Sequence, residues 1–171
     1  MNYRKGDNDS MGFLNEIFED ITGMSKRPEI KGSRFEKFVS EEIFIDKLFD
    51  LVEMTRDFDS NSERFEERSM NPDFLFRDKR TREEFWIEAK YRKGLFRNKN
   101  GQDVCEICNL GQLNRYKEVE KSSGKRVYIC LGLGEDPLYP ETVHLIPVKE
   151  AFPQLFPSRL KETLIWENPD N

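Results

Sequence analysis

With 171 residues and fourteen phenylalanines, the chain can bury a core of its own as one domain, without disulfide staples. A charged fraction of 36% and a mean hydropathy of -0.79 go with the lack of any apolar run near the roughly 20 residues of a membrane helix, which excludes that class. Three cysteines exclude a disulfide framework and fit a reducing compartment, and a net charge of -5 argues against gripping nucleic acid by overall charge.

Met1 to Ser10 is polar and charged, unlike a signal peptide, so the expected location is the cytoplasm. Met11, Leu14, Ile17, Phe18 and Ile21 recur at helical spacing and predict a short amphipathic helix over 10–22. A connector from Gly23 to Gly32 follows, containing Pro28, so that about 1–31 forms an N-terminal extension. A longer helix is expected from near Ser33, with Phe35, Phe38, Val39, Ile43 and Phe44 facing inward. It gives way by about Phe49 to a strand over 50–56. Asp57 to Met70 reads as a polar, exposed loop. Strands over 73–77 and 85–91 come next, joined by the charged turn Asp78 to Arg82.

Arg92 to Asp103 contains Gly94, Asn98, Asn100 and Gly101 and predicts a mobile basic loop, followed by a helix over 104–121 with Val104, Ile107, Cys108, Leu113 and Tyr116. The continuous apolar run 127–133 predicts a buried strand, and Thr142 to Val148 a last one, reached through a turn marked by Gly134, Pro137 and Pro140. The tail from Lys149 reads as short helix and irregular packing. This order implies a single α/β domain over 1–171 with a mixed central sheet flanked by helices. The first three strands can form a meander, and the 104–121 helix can make a crossover to the next strand.

Two stretches carry the chemistry: Asn71-Pro72-Asp73-Phe74-Leu75 and Phe85-Trp86-Ile87-Glu88-Ala89-Lys90-Tyr91. A strand's period of two puts Glu88 and Lys90 on one face, and a hairpin between the two strands brings Asp73 beside them. Two carboxylates and an ammonium converging there can hold a divalent cation and a phosphate oxygen, the equipment for metal-dependent phosphodiester cleavage. Glu88 stands between Ile87 and Ala89 in an apolar strand, where an acid is costly unless paired or metal-bound. Between Arg77 and Lys99 nine basic residues stand against four acidic ones, bracketing the site where phosphate contacts are useful. A solvated loop of mixed charge is the alternative for that stretch.

These motifs resemble the PD-(D/E)XK nuclease superfamily, which has the restriction-endonuclease-like fold. Pro72-Asp73 matches its first element and Glu88-Ala89-Lys90 its second. Gly32-Ser33-Arg34-Phe35-Glu36 looks like the upstream helix with its early acid. Gln112-Leu113-Asn114-Arg115-Tyr116 looks like the Gln-x-x-x-Tyr helix of RecB-like and lambda-exonuclease-like members. The resemblance spans roughly 32–133. It implies that Asp73 and Glu88 are metal ligands for Mg2+ or Mn2+, completed by the Ala89 carbonyl and by Glu36. Lys90 acts on the attacking water and the transition state. It further implies that Gln112 and Tyr116 approach the catalytic site and contact the DNA backbone or a metal-bound water. Arg92, Lys93, Arg97 and Lys99 are the expected phosphate contacts.

Other readings stand beside these. Ser33-x-x-Glu36 also spells a capping box, in which Glu36 bonds back to the helix's first amide. Tyr116 also fits the buried face of an amphipathic helix. Cys105-x-x-Cys108 is half of a zinc knuckle, with Cys130 and His144 distant, and reduced buried thiols fit better. A single His and the lack of a Gly-rich phosphate loop leave no support for a His-dependent triad or nucleotide hydrolysis. The resulting expectation is a Mg-dependent deoxyribonuclease acting on DNA, with specificity from a homodimer, a partner protein or the loops. The alternative is a catalytically inactive relative acting as a nucleic-acid-binding or structural module.

Overall fold

Alternating side chains on the central strands give the molecule its layers. The computed structural model describes residues 28–55 and 71–169, and the helix expected over 10–22 and the loop expected over 57–70 lie outside the described residues. Helix α1, Pro28–Phe38, runs into a π-helical turn, Val39–Ile43, closed by the Phe44 amide donating to the Val39 carbonyl at 2.9 Å. Strands β1 (Phe49–Met54), β2 (Phe74–Asp78) and β3 (Glu84–Arg92) follow as an antiparallel meander. Strands β4 (Phe96–Arg97) and β5 (Asp103–Glu106) and helix α2 (Leu110–Ser123) lead to β6 (Arg126–Leu133), which lies parallel to β3. Strand β7 (Thr142–Pro147), β8 (Gln154–Leu155), helix α3 (Pro157–Glu162) and β9 (Leu164–Glu167) complete the chain.

The main sheet has the order β1-β2-β3-β6-β7-β9, and β4, β5 and β8 form a second, three-stranded sheet. A period of two sends Leu75, Trp86, Ile129, Leu131 and Ile146 to one face, where Leu113 and Tyr116 of α2 cover them. Phe74, Phe76, Ile87, Cys130 and Val143 point to the other, under Phe35, Phe38 and Val39 of α1 and the turn that extends it. Gly132 lets α1 come this close, since a Cβ there would stand 2.2 Å from the Phe35 ring.

Three expectations are corrected. The helix expected from near Ser33 already runs through Pro28–Phe38, with Gly32 and Ser33 inside it. An interior glycine costs only about 1 kcal/mol relative to alanine, which the packing of this helix outweighs. The stretch 103–106 is strand rather than helix, because pairing with β4 and β8 outweighs the apolar spacing at 104, 107 and 108. The tail contributes β9 to the edge of the main sheet, through its pairing with β7.

Candidate active site

The β2–β3 register pairs Phe74 with Ile87, so the residue before Phe74 arrives beside Glu88 and Ala89. There Asp73 Oδ2 accepts a hydrogen bond from the Ala89 amide at 2.9 Å. The Thr55 hydroxyl fixes the approach by donating to the Pro72 carbonyl at 2.8 Å, while the Thr55 amide donates to the Asp73 carbonyl at 3.0 Å. Asp73 and Glu88 are only 5% and 4% exposed, a depth at which a carboxylate needs partners to stay folded in.

Glu88 has two such partners, and both meet Oε1. The Lys90 ammonium, on the same face of β3, lies at 2.5 Å, and the Tyr116 hydroxyl donates from α2 at 2.6 Å. Burial first, and the Glu88 charge second, push the Tyr116 hydroxyl far above the ordinary phenol range, so it remains a donor. Asp73, Glu88, Lys90 and Tyr116 therefore meet on the α2 side of the sheet, near the carboxyl end of β3. Tyr116 has no exposed surface and supports Glu88 from within the core.

Among solved structures, the chain is similar to the Holliday junction resolvase Hjc of Archaeoglobus fulgidus, an archaeal hyperthermophile. The match has a TM-score of 0.52 and 17% sequence identity, and covers 78% of this chain and 94% of that one. The fold is restriction-endonuclease-like. No protein-family model matches the sequence, and no curated protein matches it either.

Within this fold the remaining candidates take up different positions. Glu36 rides on α1, which packs against the opposite face of the sheet through Phe35 and Phe38. Among the described residues no three His, Cys, Asp or Glu side chains gather as a metal cluster. Ser33 lies inside α1 and is not its cap, which removes the capping-box reading. Gln112 instead takes part in a capping box at the start of α2. Its Oε1 accepts from the Asn109 amide at 3.2 Å, and its own amide donates to Asn109 Oδ1 at 2.8 Å.

Arg92 donates from all three guanidinium nitrogens to backbone carbonyls, of Glu106 at 2.9 Å, Tyr91 at 2.8 Å and Ile107 at 3.2 Å, bracing β3 against the approach to α2. Lys93 pairs with Glu135 at 2.7 Å and Arg97 with Asp103 at 3.5 Å, both in solvent, and Lys99 is exposed on the β4–β5 turn. The basic residues of the β2–β3 hairpin lie at the other end of β3: Arg77 bonds Glu84, and Lys79 approaches Asp50 at 3.3 Å.

All three cysteines are free and buried, and burial pushes the Cys105 thiol up to about 11 and raises Cys108 and Cys130 as well. Both ring nitrogens of His144 are engaged, with the Leu160 carbonyl at 2.8 Å and the Thr142 hydroxyl at 3.0 Å. No zinc group forms from these side chains among the described residues.

Arg115 is the site neighbour that the motifs do not mark. It is half-buried, its guanidinium carbon 5.2 Å from the centroid of the Tyr116 ring, and its Nε is buried without a hydrogen-bond acceptor. The signal available in the sequence is its position directly before Tyr116 and three residues after Gln112, since residues three apart on a helix share a face.

Proposed function

We propose that the chain is a metal-dependent nuclease that hydrolyses phosphodiester bonds in DNA. The observation that carries this reading is the convergence of Asp73, Glu88 and Lys90, two buried acids and an ammonium. The donor chemistry fits a hard divalent cation: Asp73 and Glu88 carboxylate oxygens with the Ala89 carbonyl suit Mg2+ or Mn2+. Such an ion supplies Lewis-acid polarisation of the phosphate and an acidified water when bound.

The chain's own residues do the rest. The Ala89 amide orients Asp73, and Tyr116 fixes Glu88 so that its carboxylate does not swing. Lys90 orients the attacking water and balances the negative charge that develops on the phosphate. The resolvase fold likeness supports DNA as the nucleic acid and makes branched DNA a substrate to include. The proposed location is the cytoplasm, where the three free cysteines would stay reduced. No helix among the described residues is long and apolar enough to cross a membrane. Specificity in so small a chain is assigned to a second copy or a partner protein.

The test is incubation with linear, circular and branched DNA in magnesium or manganese, then with EDTA. The expected result is cleavage that EDTA abolishes. A folded, pure protein that cuts none of these substrates would move the reading to a nuclease-fold protein that binds without cutting.

A further inference from the structure

We infer that Arg115 is a substrate-binding residue, whose guanidinium takes a phosphodiester oxygen of the nucleic-acid strand held at the Asp73–Glu88–Lys90 site. This rests on the nuclease reading and deepens it, because no motif assigns Arg115 a role.

Position comes first. Tyr116 reaches Glu88 at 2.6 Å, and the Arg115 guanidinium lies against that same tyrosine ring. It also sits near enough to the Tyr116 hydroxyl to oppose the rise in its proton affinity. Arg115, Tyr116, Glu88 and Lys90 thus form one continuous polar line from the flank of α2 into the site.

Occupancy comes second. Four other cations at this end of the sheet are engaged. Lys90 is on Glu88, Arg92 is on three carbonyls, Lys93 is on Glu135 and Arg97 is on Asp103. Arg115 forms no ion pair among the described residues, and its buried Nε has no acceptor. A desolvated charged N–H with nothing to donate to is unfavourable, and native structures keep few of them. The aromatic face and the hydroxyl of Tyr116 hold the guanidinium in place in the free protein, but neither accepts from the Nε hydrogen.

Chemistry comes third. A guanidinium presents a planar fork of donors that matches the oxygens of a phosphate, and Nε is one prong of the side-on fork. An anion that draws the group off the tyrosine ring satisfies the Nε and leaves Tyr116 on Glu88. A phosphodiester beside the cleaved bond is such an anion.

The experiment uses the full chain carrying Lys90→Ala, so that DNA stays intact, in magnesium. Binding of a fluorescent single strand and of its duplex is titrated over a range of salt. Arg115→Gln should weaken binding by about tenfold or more and flatten the salt slope by roughly one unit. Arg115→Lys should keep the slope and lose only part of the affinity, because an ammonium has no fork. Should Arg115→Gln fail to fold, the affinity loss in Arg115→Lys carries the test. Folded variants that bind as the parent does, with the parent's slope, overturn the assignment and leave Arg115 a brace for Tyr116. If the parent binds DNA and the Lys90-intact chain cleaves it, that failure falls on Arg115 alone. A parent that does not bind DNA, together with a Lys90-intact chain that does not cleave it, overturns the nuclease reading and this inference with it.

Discussion

A carboxylate set between Ile87 and Ala89 has little water around it, and Glu88 is held from two directions by Lys90 and Tyr116. Removing each holder should have a distinct consequence. Tyr116→Phe keeps the ring and deletes one hydrogen bond to a charged group. Denaturant titration should show about 1.5–3 kcal/mol of lost stability, and cleavage should fall because Glu88 is less fixed. Lys90→Ala removes the ammonium, so cleavage should fall by about 10²–10³-fold, the effect of deleting one preorganised electrostatic interaction in a site of this kind. Magnesium should still raise its melting temperature, because the ion then meets Glu88 without a competing cation. A Lys90→Ala protein that cleaves at the parent rate would show that the activity lies elsewhere. Glu88 and Lys90 are legible together in the sequence because strand periodicity puts them on one face, and Asp73 joins them through the hairpin expected between the two strands. Tyr116's role is not, since helical spacing tells which residues share a face but not what that face meets. Arg115 has no apolar or acidic pattern around it to mark it out.

Helix α2 shows what element boundaries do for the site. Its first turn is fixed by the reciprocal bonds of Asn109 and Gln112, and this sets the axis along which Tyr116 reaches Glu88 one turn later. Asn109→Ala should cost about 0.5–2 kcal/mol in thermal or chemical unfolding, as loss of an N-cap does. Its effect on cleavage should be smaller than that of Tyr116→Phe, since the hydroxyl itself remains. A variant of unchanged stability would show that Gln112 and the packing of Leu113 fix the helix start unaided. The mixed sheet, the meander and the crossover to β6 can all be read from apolar runs and turn residues, and the fold bears that out. The start of α2 is harder to read, because Val104, Ile107 and Cys108 have helical spacing by chance. The Asn109-x-x-Gln112 signal further on marks the true beginning. β9 escapes the sequence for a different reason. Leu164 to Glu167 is short, and only the partner strand β7 decides that it pairs.

At the scale of the whole molecule, a continuous stretch of sequence turns out to serve two ends of the sheet. The basic residues from Arg77 to Lys99 are neighbours along the chain, but β3 runs between them for nine residues. At about 3.3 Å per residue that separates the hairpin group from Lys93, Arg97 and Lys99 by roughly 26 Å. Linear charge patterning has no access to this division, because it depends on where the strand starts and stops. The two groups should therefore behave differently toward DNA. Changing Lys93, Arg97 and Lys99 to Gln should weaken binding and flatten its salt dependence by roughly one slope unit for each phosphate that no longer meets a cation. The ion pairs of Lys93 and Arg97 are exposed and worth little, so a phosphate can replace those carboxylates readily. Changing Lys79, Arg80 and Arg82 to Gln should leave both quantities close to the parent values. Arg92 belongs in neither set, because its guanidinium braces three carbonyls and its removal should appear as lower stability before it appears as weaker binding. Salt titrations of the two triple variants, with melting temperatures measured alongside, check all of this at once. Equal losses of affinity from both groups would mean that DNA spans the full length of β3, and the phosphate track would then have to run past the hairpin as well as the site.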